Sequence, residues 1–125
     1  RAPRFGMSAV GVVGLGVMGS QLLLNLAEKL QKPASGVDFS ADKAASTAKL
    51  AEEQGELPVH TFSALEPFVA SLSRPRQVLL LVPAGKPVDS AIDSLMPLLE
   101  KGDVIVDMGN EWYENTEARQ QKVGA

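Results

Sequence analysis

The chain has 125 residues, of which 45% are hydrophobic and 22% are charged, proportions that are ordinary for a globular protein in water. A formal net charge of −3 with no basic block argues against nucleic acid as a partner, and the apolar stretches are too short and too polar for membrane insertion. The absence of cysteine excludes disulfides and thiolate metal sites. His60 is the one histidine in the sequence, which argues against a histidine-based metal site or catalytic triad. We expect it at the surface or at the edge of the core.

The amino-terminal half of the chain predicts two strand–helix units. A β-branched apolar run over residues 9–13 predicts a buried parallel strand. Residues 17–30 follow a helical pattern, in which one face carries Leu22, Leu23, Leu26 and Leu30. Residues 32–36 are expected to end that helix, and residues 37–40 predict the second strand. An alanine-rich helix follows over residues 41–55, where Gly55 stops it.

Three further strands are predicted in the rest of the chain, at residues 59–62, 76–82 and 103–109. Between the first two of these, Ser63 is expected to cap a helix through Leu72, with Glu66 completing a capping box. A second helix has Pro87 in its first turn and ends at Gly102, and its apolar face consists of Val88, Ile92, Leu95 and Leu99. Residues 113–122 predict a polar helix after the last strand. Strand and helix alternate five times, which predicts that residues 1–125 form a single α/β domain with a Rossmann-type doubly wound parallel sheet and helices on both faces.

Three glycines mark the passage from the first strand to the first helix, in the pattern G-x-G-x-x-G at Gly14, Gly16 and Gly19. In a dinucleotide-binding turn, the first glycine makes the tight turn, the second admits the pyrophosphate and the third lets the helix pack closely. The helix then presents free N–H groups and its positive dipole end to the phosphates. Asp38, at the end of the second strand, is suited to accept hydrogen bonds from an adenosine ribose. The alternative is that the glycines serve packing alone.

Longer stretches resemble the amino-terminal NADP-binding domain of the decarboxylating 6-phosphogluconate dehydrogenases. They are GVVGLGVMGSQLLLNLAE, SALEPFVASLSRPRQVLLLVPAG and VDSAIDSLMPLLEKGDVIVDMGNEWYENT, and the similarity extends from Val10 to about Arg119. The resemblance implies NADP or NAD as cofactor and an oxidative decarboxylation of 6-phosphogluconate to ribulose 5-phosphate. In that reaction a hydride passes from C3 of the sugar to the cofactor, and carbon dioxide then leaves.

The resemblance also assigns roles to individual positions. The pyrophosphate is expected on Gly14, Leu15, Gly16, Val17, Met18 and Gly19, and the cofactor is expected beside Val82 and Ala84. Asn110 is implied to lie between the nicotinamide and the sugar substrate. The general base, the general acid and the helical domain of the family match no part of this chain, so residues 1–125 alone are not expected to turn over substrate.

Several positions depart from the family pattern. The family has Asn-Arg-Thr where this chain has Asp38, Phe39 and Ser40, so the arginine that helps to hold the 2′-phosphate of NADP is lost, an aspartate adds repulsion, and NAD is favoured. Pro83 replaces a lysine, Met108 a glycine and Glu111 a serine. These changes leave two alternatives open besides the dehydrogenase: a non-catalytic Rossmann module that acts as a structural or linker subunit, with cofactor binding lost, or an NAD-binding sensor.

The remaining polar and aromatic groups predict packing or solvation rather than chemistry. Trp112 and Tyr113 are expected to pack on the sheet rather than stack on a ligand. Glu111, Glu114 and Glu117 are expected at a helix start, where acidic residues are favoured, rather than in a metal site. Arg74 and Arg76 are expected in a solvated turn. An unpaired strand edge or uncovered apolar face is expected to invite a protein partner or a second copy. The family implies the cytoplasm, with an organelle such as a plastid as the alternative.

Overall fold

A computed structural model describes residues 6–82, 86–108, 111–116 and 119–124, with side chains described for residues 6–82 and 89–108. The strands are β1 (Val10–Val13), β2 (Ala34–Val37), β3 (Val59–Phe62), β4 (Gln77–Leu80), β5 (Val104–Asp107), β6 (Glu111–Thr116) and β7 (Arg119–Gly124). The helices are α1 (Val17–Leu30), α2 (Ala41–Glu53), α3 (Leu65–Ala70) and α4 (Lys86–Leu95), and a 3-10 turn, Met96–Leu98, follows α4.

The strands form one sheet in the order β3-β2-β1-β4-β5-β6-β7. The pairs among β1 to β5 are all parallel, and β2 and β4 flank β1, with Val12 opposite Gly36 on one side and Leu79 on the other. The strand order reverses between β1 and β4, which is the switch point where open α/β sheets bind ligands. The expected doubly wound fold is confirmed.

Helices cover both faces of the parallel strands, because the central strands β1 and β4 carry apolar residues on both sides. On one face α3 and α4 pack on Val13, Val78 and Ile105, and the fully buried Phe68 lies in this cluster. On the other face α1 and α2 pack on Val10 and Val12. The alternation of Val12 and Val13 between the two clusters follows from the two-residue repeat of a strand.

The second strand lies at residues 34–37, so the prediction of residues 37–40 was wrong. A small residue is favoured at position 36 because Leu15 and Leu23 pack against β2: a Cβ on Gly36 would lie 2.6 Å from the side chain of Leu23 and 2.8 Å from that of Leu15. Residues 34–37 pair with both β1 and β3, and this pairing makes the segment a strand. Asp38 consequently lies directly after the strand.

The predicted apolar face of α1 is confirmed at Leu22, Leu23 and Leu26, which pack in the core cluster around Val10 and Val12, but not at Leu30. Leu23, Leu24 and Ala27 are buried, whereas Leu30 is 45% exposed and the other two leucines of the predicted face are half-buried. Leu24 is the buried leucine of α1 that the predicted face did not include.

The predicted cap of α3 and the predicted length of α4 need correction. Ala64, not Ser63, is the N-cap of α3, and no side chain caps the helix. Helix α4 ends at Leu95 and a 3-10 turn containing Pro97 follows, because proline has no N–H to continue the helical ladder. Its predicted apolar stripe is otherwise buried where side chains are described, at Ile92, Leu95 and Leu99.

The polar helix predicted for residues 113–122 was wrong, since β6 and β7 occupy this segment as an antiparallel pair. Strand β6 pairs with β5, with Glu114 opposite Val104 and Glu111 opposite Asp107. The free edge of β5 offers a row of unpaired backbone groups, and pairing with it outweighs the weak helix preference of the segment. The edge of β5 is therefore covered by the chain itself, and Glu111 and Glu114 lie on a strand rather than at a helix start.

Arg76 does not lie in a solvated turn but is 7% exposed at the start of β4. Its Nη1 donates to Oδ2 of the buried Asp103 at 3.1 Å, and its backbone N–H donates to Oδ1 at 2.7 Å. Asp103 also accepts from the backbone N–H of Glu100 at 2.7 Å. The pair joins the amino ends of β4 and β5, whereas Arg74 is exposed and pairs with Glu100.

Three buried serines join the amino ends of β1 and β2 to α3. The hydroxyls of Ser8 and Ser35 are 2.6 Å apart, and those of Ser35 and Ser71 are 2.7 Å apart. Ser71 donates its only hydroxyl proton to the carbonyl of Phe68, so Ser35 must donate to Ser71, and Ser8 to Ser35. All three hydrogen bonds therefore have the same direction, from Ser8 towards the carbonyl of Phe68.

Candidate dinucleotide-binding site

The tight turn after β1 depends on Gly14. Its φ is +101°, a conformation that side chains disfavour, and a Cβ there would lie 2.5 Å from the carbonyl oxygen of Leu81. The turn is tied to both neighbouring strands, since the N–H of Gly14 donates to Val37 at 2.9 Å and the N–H of Leu81 donates to Val13 at 2.8 Å. This places the turn in the crevice of the switch point.

The other two glycines of the motif have opposite surroundings. A Cβ on Gly19 would overlap the carbonyl oxygen of Gly14, so the start of α1 packs directly on the turn. A Cβ on Gly16 would have no heavy atom within 4 Å, and the φ of Gly16 is −70°. Neither contacts nor backbone conformation in the described structure therefore require glycine at position 16, and the space beside it is open.

The amino end of α1 is open as well. Gly16 is its N-cap and no side chain caps it, and the first N–H groups of a helix have no partner within the helix. Val17 and Met18 are 83% and 75% exposed, so their side chains do not fill the bend. Ser20 donates to the carbonyl of Gly16 at 2.7 Å and holds the first turn in place. An open turn with free amides at a helix start suits a phosphate group.

Asp38 links the turn to α2. Its Oδ2 accepts from the N–H of Leu15 and its Oδ1 accepts from the N–H of Ser40, both at 2.8 Å. Ser40 then caps α2, accepting at its side chain from the N–H of Lys43. The carboxylate is half-buried and has two oxygens with about four acceptor positions, so it retains room for hydroxyl donors.

A pocket of about 280 Å³ opens beside the turn. It is lined by Val13, Gly14, Val37, Asp38, Phe39, Val82, Ser90, Ala91 and Ser94. Three residues that the sequence analysis predicted in the site, Gly14, Asp38 and Val82, thus line the same pocket. The contribution of α4, through Ser90, Ala91 and Ser94, was not predicted; the one available signal was that these positions adjoin the predicted apolar stripe of α4.

Two site residues expected from the sequence, Ala84 and Asn110, lie outside the described residues, as do the side chains of Trp112 and Tyr113. His60 is half-buried in β3, at one edge of the sheet. Within residues 6–82, 86–108 and the described strands beyond them, no cluster of three acidic or histidine side chains is arranged to hold a metal ion. No described helix has the length and apolar character needed to cross a membrane.

The fold and the glycine turn agree with comparisons to known proteins. The family model described as the NAD binding domain of 6-phosphogluconate dehydrogenase matches residues 9–125. The chain belongs to this family. The resemblance stated from the sequence is therefore confirmed at the level of an NAD(P)-binding domain of 6-phosphogluconate dehydrogenase.

Individual relatives of this 6-phosphogluconate dehydrogenase domain are much longer than the chain. A chloroplastic decarboxylating 6-phosphogluconate dehydrogenase of Oryza sativa subsp. japonica is 50% identical over 93% of this chain and 23% of its own length. The NAD(+)-dependent decarboxylating enzyme of Bacillus subtilis is 47% identical over 90% of this chain and 23% of its own. The structure of Plasmodium falciparum 6-phosphogluconate dehydrogenase superposes with a TM-score of 0.71 at 34% identity, covering 78% of this chain and 20% of that one. The chain thus spans about a quarter of these relatives.

Proposed function

We propose that this chain binds NAD across the turn between β1 and α1, as the cofactor-binding part of a 6-phosphogluconate dehydrogenase. The open space at Gly16, beside the free amides of α1, supports the proposal most directly, because neither packing nor backbone conformation requires glycine at this position. The pyrophosphate lies on Gly14, Leu15, Gly16, Val17, Met18 and Gly19. Asp38 accepts from ribose hydroxyls, while Val82 and Ala84 border the cofactor. Asn110 lies between the nicotinamide, which supplies the hydride acceptor, and the sugar.

The residues after β2 support NAD over NADP. Asp38 already receives two backbone N–H groups, and the next side chain, Phe39, carries no charge. A 2′-phosphate about 4 Å from a carboxylate is repelled by about 1 kcal/mol in bulk water and about 4 kcal/mol at an effective dielectric of 20. Because Asp38 is half-buried, we expect an intermediate value and at least about tenfold weaker binding of NADP.

Calorimetric titration of NAD and NADP into the wild-type chain and into Gly16→Ala tests the proposal. We expect NAD to bind more tightly than NADP, and Gly16→Ala to weaken NAD at least about tenfold, since its methyl group enters the space assigned to the pyrophosphate. The melting temperature of Gly16→Ala should stay near wild type, because its φ suits alanine. Asn25→Ala, on the exposed side of α1, is the matched control. Unchanged NAD affinity in Gly16→Ala, or tighter binding of NADP, contradicts the proposal.

For the whole protein we propose oxidative decarboxylation of 6-phosphogluconate to ribulose 5-phosphate. The family match supports this assignment. We propose that residues 1–125 form a single cofactor-binding domain and that the sugar phosphate is bound and converted by groups outside these residues. We expect no NADH production when the 125-residue chain is mixed with NAD and 6-phosphogluconate. Measurable NADH production by the 125-residue chain contradicts the proposal that the catalytic groups lie outside these residues.

A second candidate function is a non-catalytic module in a protein assembly. Met108 supports it: the side chain is 47% exposed at the carboxyl end of β5, at a position where the family resemblance implies glycine and close approach. Analytical ultracentrifugation combined with the NAD titration separates the two functions. A stable homo-oligomer or partner complex without cofactor affinity supports the module, and cofactor affinity supports the dehydrogenase domain or an NAD sensor. We place the protein in the cytoplasm, with a plastid as the alternative.

A further inference from the structure

Methionine is the one residue type in this sequence that carries sulfur. The 125 residues contain no cysteine and four methionines, which are Met7, Met18, Met96 and Met108. Hydroperoxides oxidise the apolar thioether of methionine to a polar sulfoxide, and sulfoxide reductases reverse the reaction. Because these residues include no thiol to compete for the oxidant, oxidation of sulfur within them falls on these four side chains.

Met18 is the most exposed of the four. Its exposed fraction is 75%, compared with 50% for Met7 and 47% for Met108. Met96 is half-buried and packs against the core cluster of α3 and α4. A thioether has to meet a dissolved oxidant before it can react, so oxidation is expected to be fastest at Met18.

Met18 also belongs to the glycine turn, as the second residue of α1. A Cβ on the adjacent Gly19 would overlap the carbonyl oxygen of Gly14, so the helix start is packed directly on the turn and holds the backbone of residue 18 beside it. The N-cap, Gly16, offers no side chain to the first N–H groups of the helix. The most exposed sulfur and the amides assigned to the pyrophosphate are therefore parts of one helical turn.

Oxidation would replace the weak acceptor of a thioether by a strong one at this helix start. The sulfoxide oxygen is as many bonds from the backbone as the Oε atom of glutamine or glutamate, the side chains that accept backbone N–H groups in a capping box. It can therefore turn back to the free N–H groups of the first turn, where the positive end of the helix dipole favours it. A phosphate then has to displace this acceptor, and its affinity falls.

We propose that Met18 is a reversible oxidation site that controls cofactor binding at the glycine turn. The inference rests on the proposed function and adds regulation to the same site. The Met18 sulfur attacks the hydroxyl oxygen of a hydroperoxide, the O–O bond breaks, and the proton of that oxygen passes to the departing oxygen, which leaves as water or an alcohol. Sulfur is oxidised and the peroxide is reduced. Bound NAD covers the turn and slows this reaction.

Calorimetry with NAD before and after treatment with hydrogen peroxide tests the proposal. With treatment limited to about one added oxygen per chain, oxidised wild type is expected to bind NAD about tenfold more weakly, the lower end of the range for one hydrogen bond to a charged group. Met18→Leu keeps an apolar side chain of similar volume but has no sulfur, so peroxide should leave its own affinity unchanged. Met7→Leu, which lacks an exposed methionine before β1, is the matched control and should lose affinity on oxidation as wild type does. Methionine sulfoxide reductases should restore the affinity of wild type.

Mass spectrometry and melting curves provide two further measurements. Saturating NAD should slow sulfoxide formation at Met18 and leave the rate at Met7 unchanged. Oxidation should not lower the melting temperature of the free chain, because the sulfoxide accepts N–H groups that have no other partner within the helix. A lower melting temperature together with weaker binding would show general damage and contradict the proposal.

The outcomes separate this inference from the proposed function. If untreated wild type fails to bind NAD, the proposed function fails and the control by oxidation fails with it. If untreated wild type binds NAD and the chain oxidised at Met18 binds it equally well, the oxidation site has no control over binding and the proposed function stands. A loss of affinity in peroxide-treated Met18→Leu equal to that of wild type also overturns the inference, because another methionine would then be responsible.

Discussion

Asp38 provides the sharpest test of how the site is built, because its carboxylate connects two segments that are distant in sequence. Each oxygen accepts one backbone N–H at 2.8 Å, from Leu15 in the turn and from Ser40 before α2. Asparagine has the same shape but only one acceptor oxygen, so Asp38→Asn leaves one of the two N–H groups facing an amide donor. A hydrogen bond to a charged group contributes about 1.5–3 kcal/mol. Asp38 is half-buried and water reaches it, so we expect a cost of about 1.5 kcal/mol, the lower end of that range.

Urea unfolding followed by circular dichroism measures this cost. With a slope of about 1–3 kcal/mol/M, the midpoint of Asp38→Asn should fall by about 0.5–1.5 M. Asp38→Ala removes both acceptors and should lower the midpoint further. Glu28→Gln, an exposed change on α1, serves as the control for loss of one negative charge. A wild-type midpoint for Asp38→Asn, or equal midpoints for the two Asp38 variants, would refute the idea that each oxygen holds a separate segment.

Three other substitutions test the packing that supports the site, and urea midpoints measure all of them. Gly19→Ala should destabilise the chain by about 1–3 kcal/mol, because its methyl group overlaps a carbonyl oxygen of the turn; an unchanged midpoint would show that α1 shifts freely. Ser35→Ala removes the middle hydroxyl of the buried serine chain and should cost about 1–3 kcal/mol, whereas the exposed Ser63→Ala should stay within about 0.5 kcal/mol. Asp103→Ala removes the buried carboxylate that pairs with the Arg76 guanidinium, which then keeps the 51%-exposed Glu100 at 3.4 Å, and should cost about 3–5 kcal/mol. Arg74→Ala, in an exposed pair, should cost at most about 1 kcal/mol, and equal losses in these two variants would contradict the burial argument.

The site was predictable only where its residues are adjacent in sequence or follow a known spacing. The turn at residues 14–19 and the carboxylate at Asp38 were recognised from such spacing. Phe39 was noted only as a replaced cation, and Ser90 and Ser94 were missed, although all three line the pocket. Helix α4 reaches the end of β2 because the crossover from β4 packs it on the same face of the sheet as Val37. No local sequence pattern predicts this contact between α4 and the end of β2.

Errors in the predicted elements have a common physical origin. Residues 34–37 contain a glycine and a serine and look like a turn, yet they form β2 because they pair with β1 and β3. The segment after residue 110 has a polar composition that suggests a helix, yet β6 and β7 form there. In both cases a partner distant in sequence outweighs the local preference.

The alternation of the five parallel strands with the helices between them, the buried character of those strands and the glycine turn all follow from local features of the chain. Hydrophobic periodicity and the conformational freedom of glycine act within a few residues, so the sequence by itself determined them. The tertiary structure alone decided the β5–β6 pairing, the burial of Arg76 against Asp103 and the closing of the pocket by α4. Each of these requires backbone groups or side chains from separate elements to meet, and their energies arise only when the folded chain removes both partners from water.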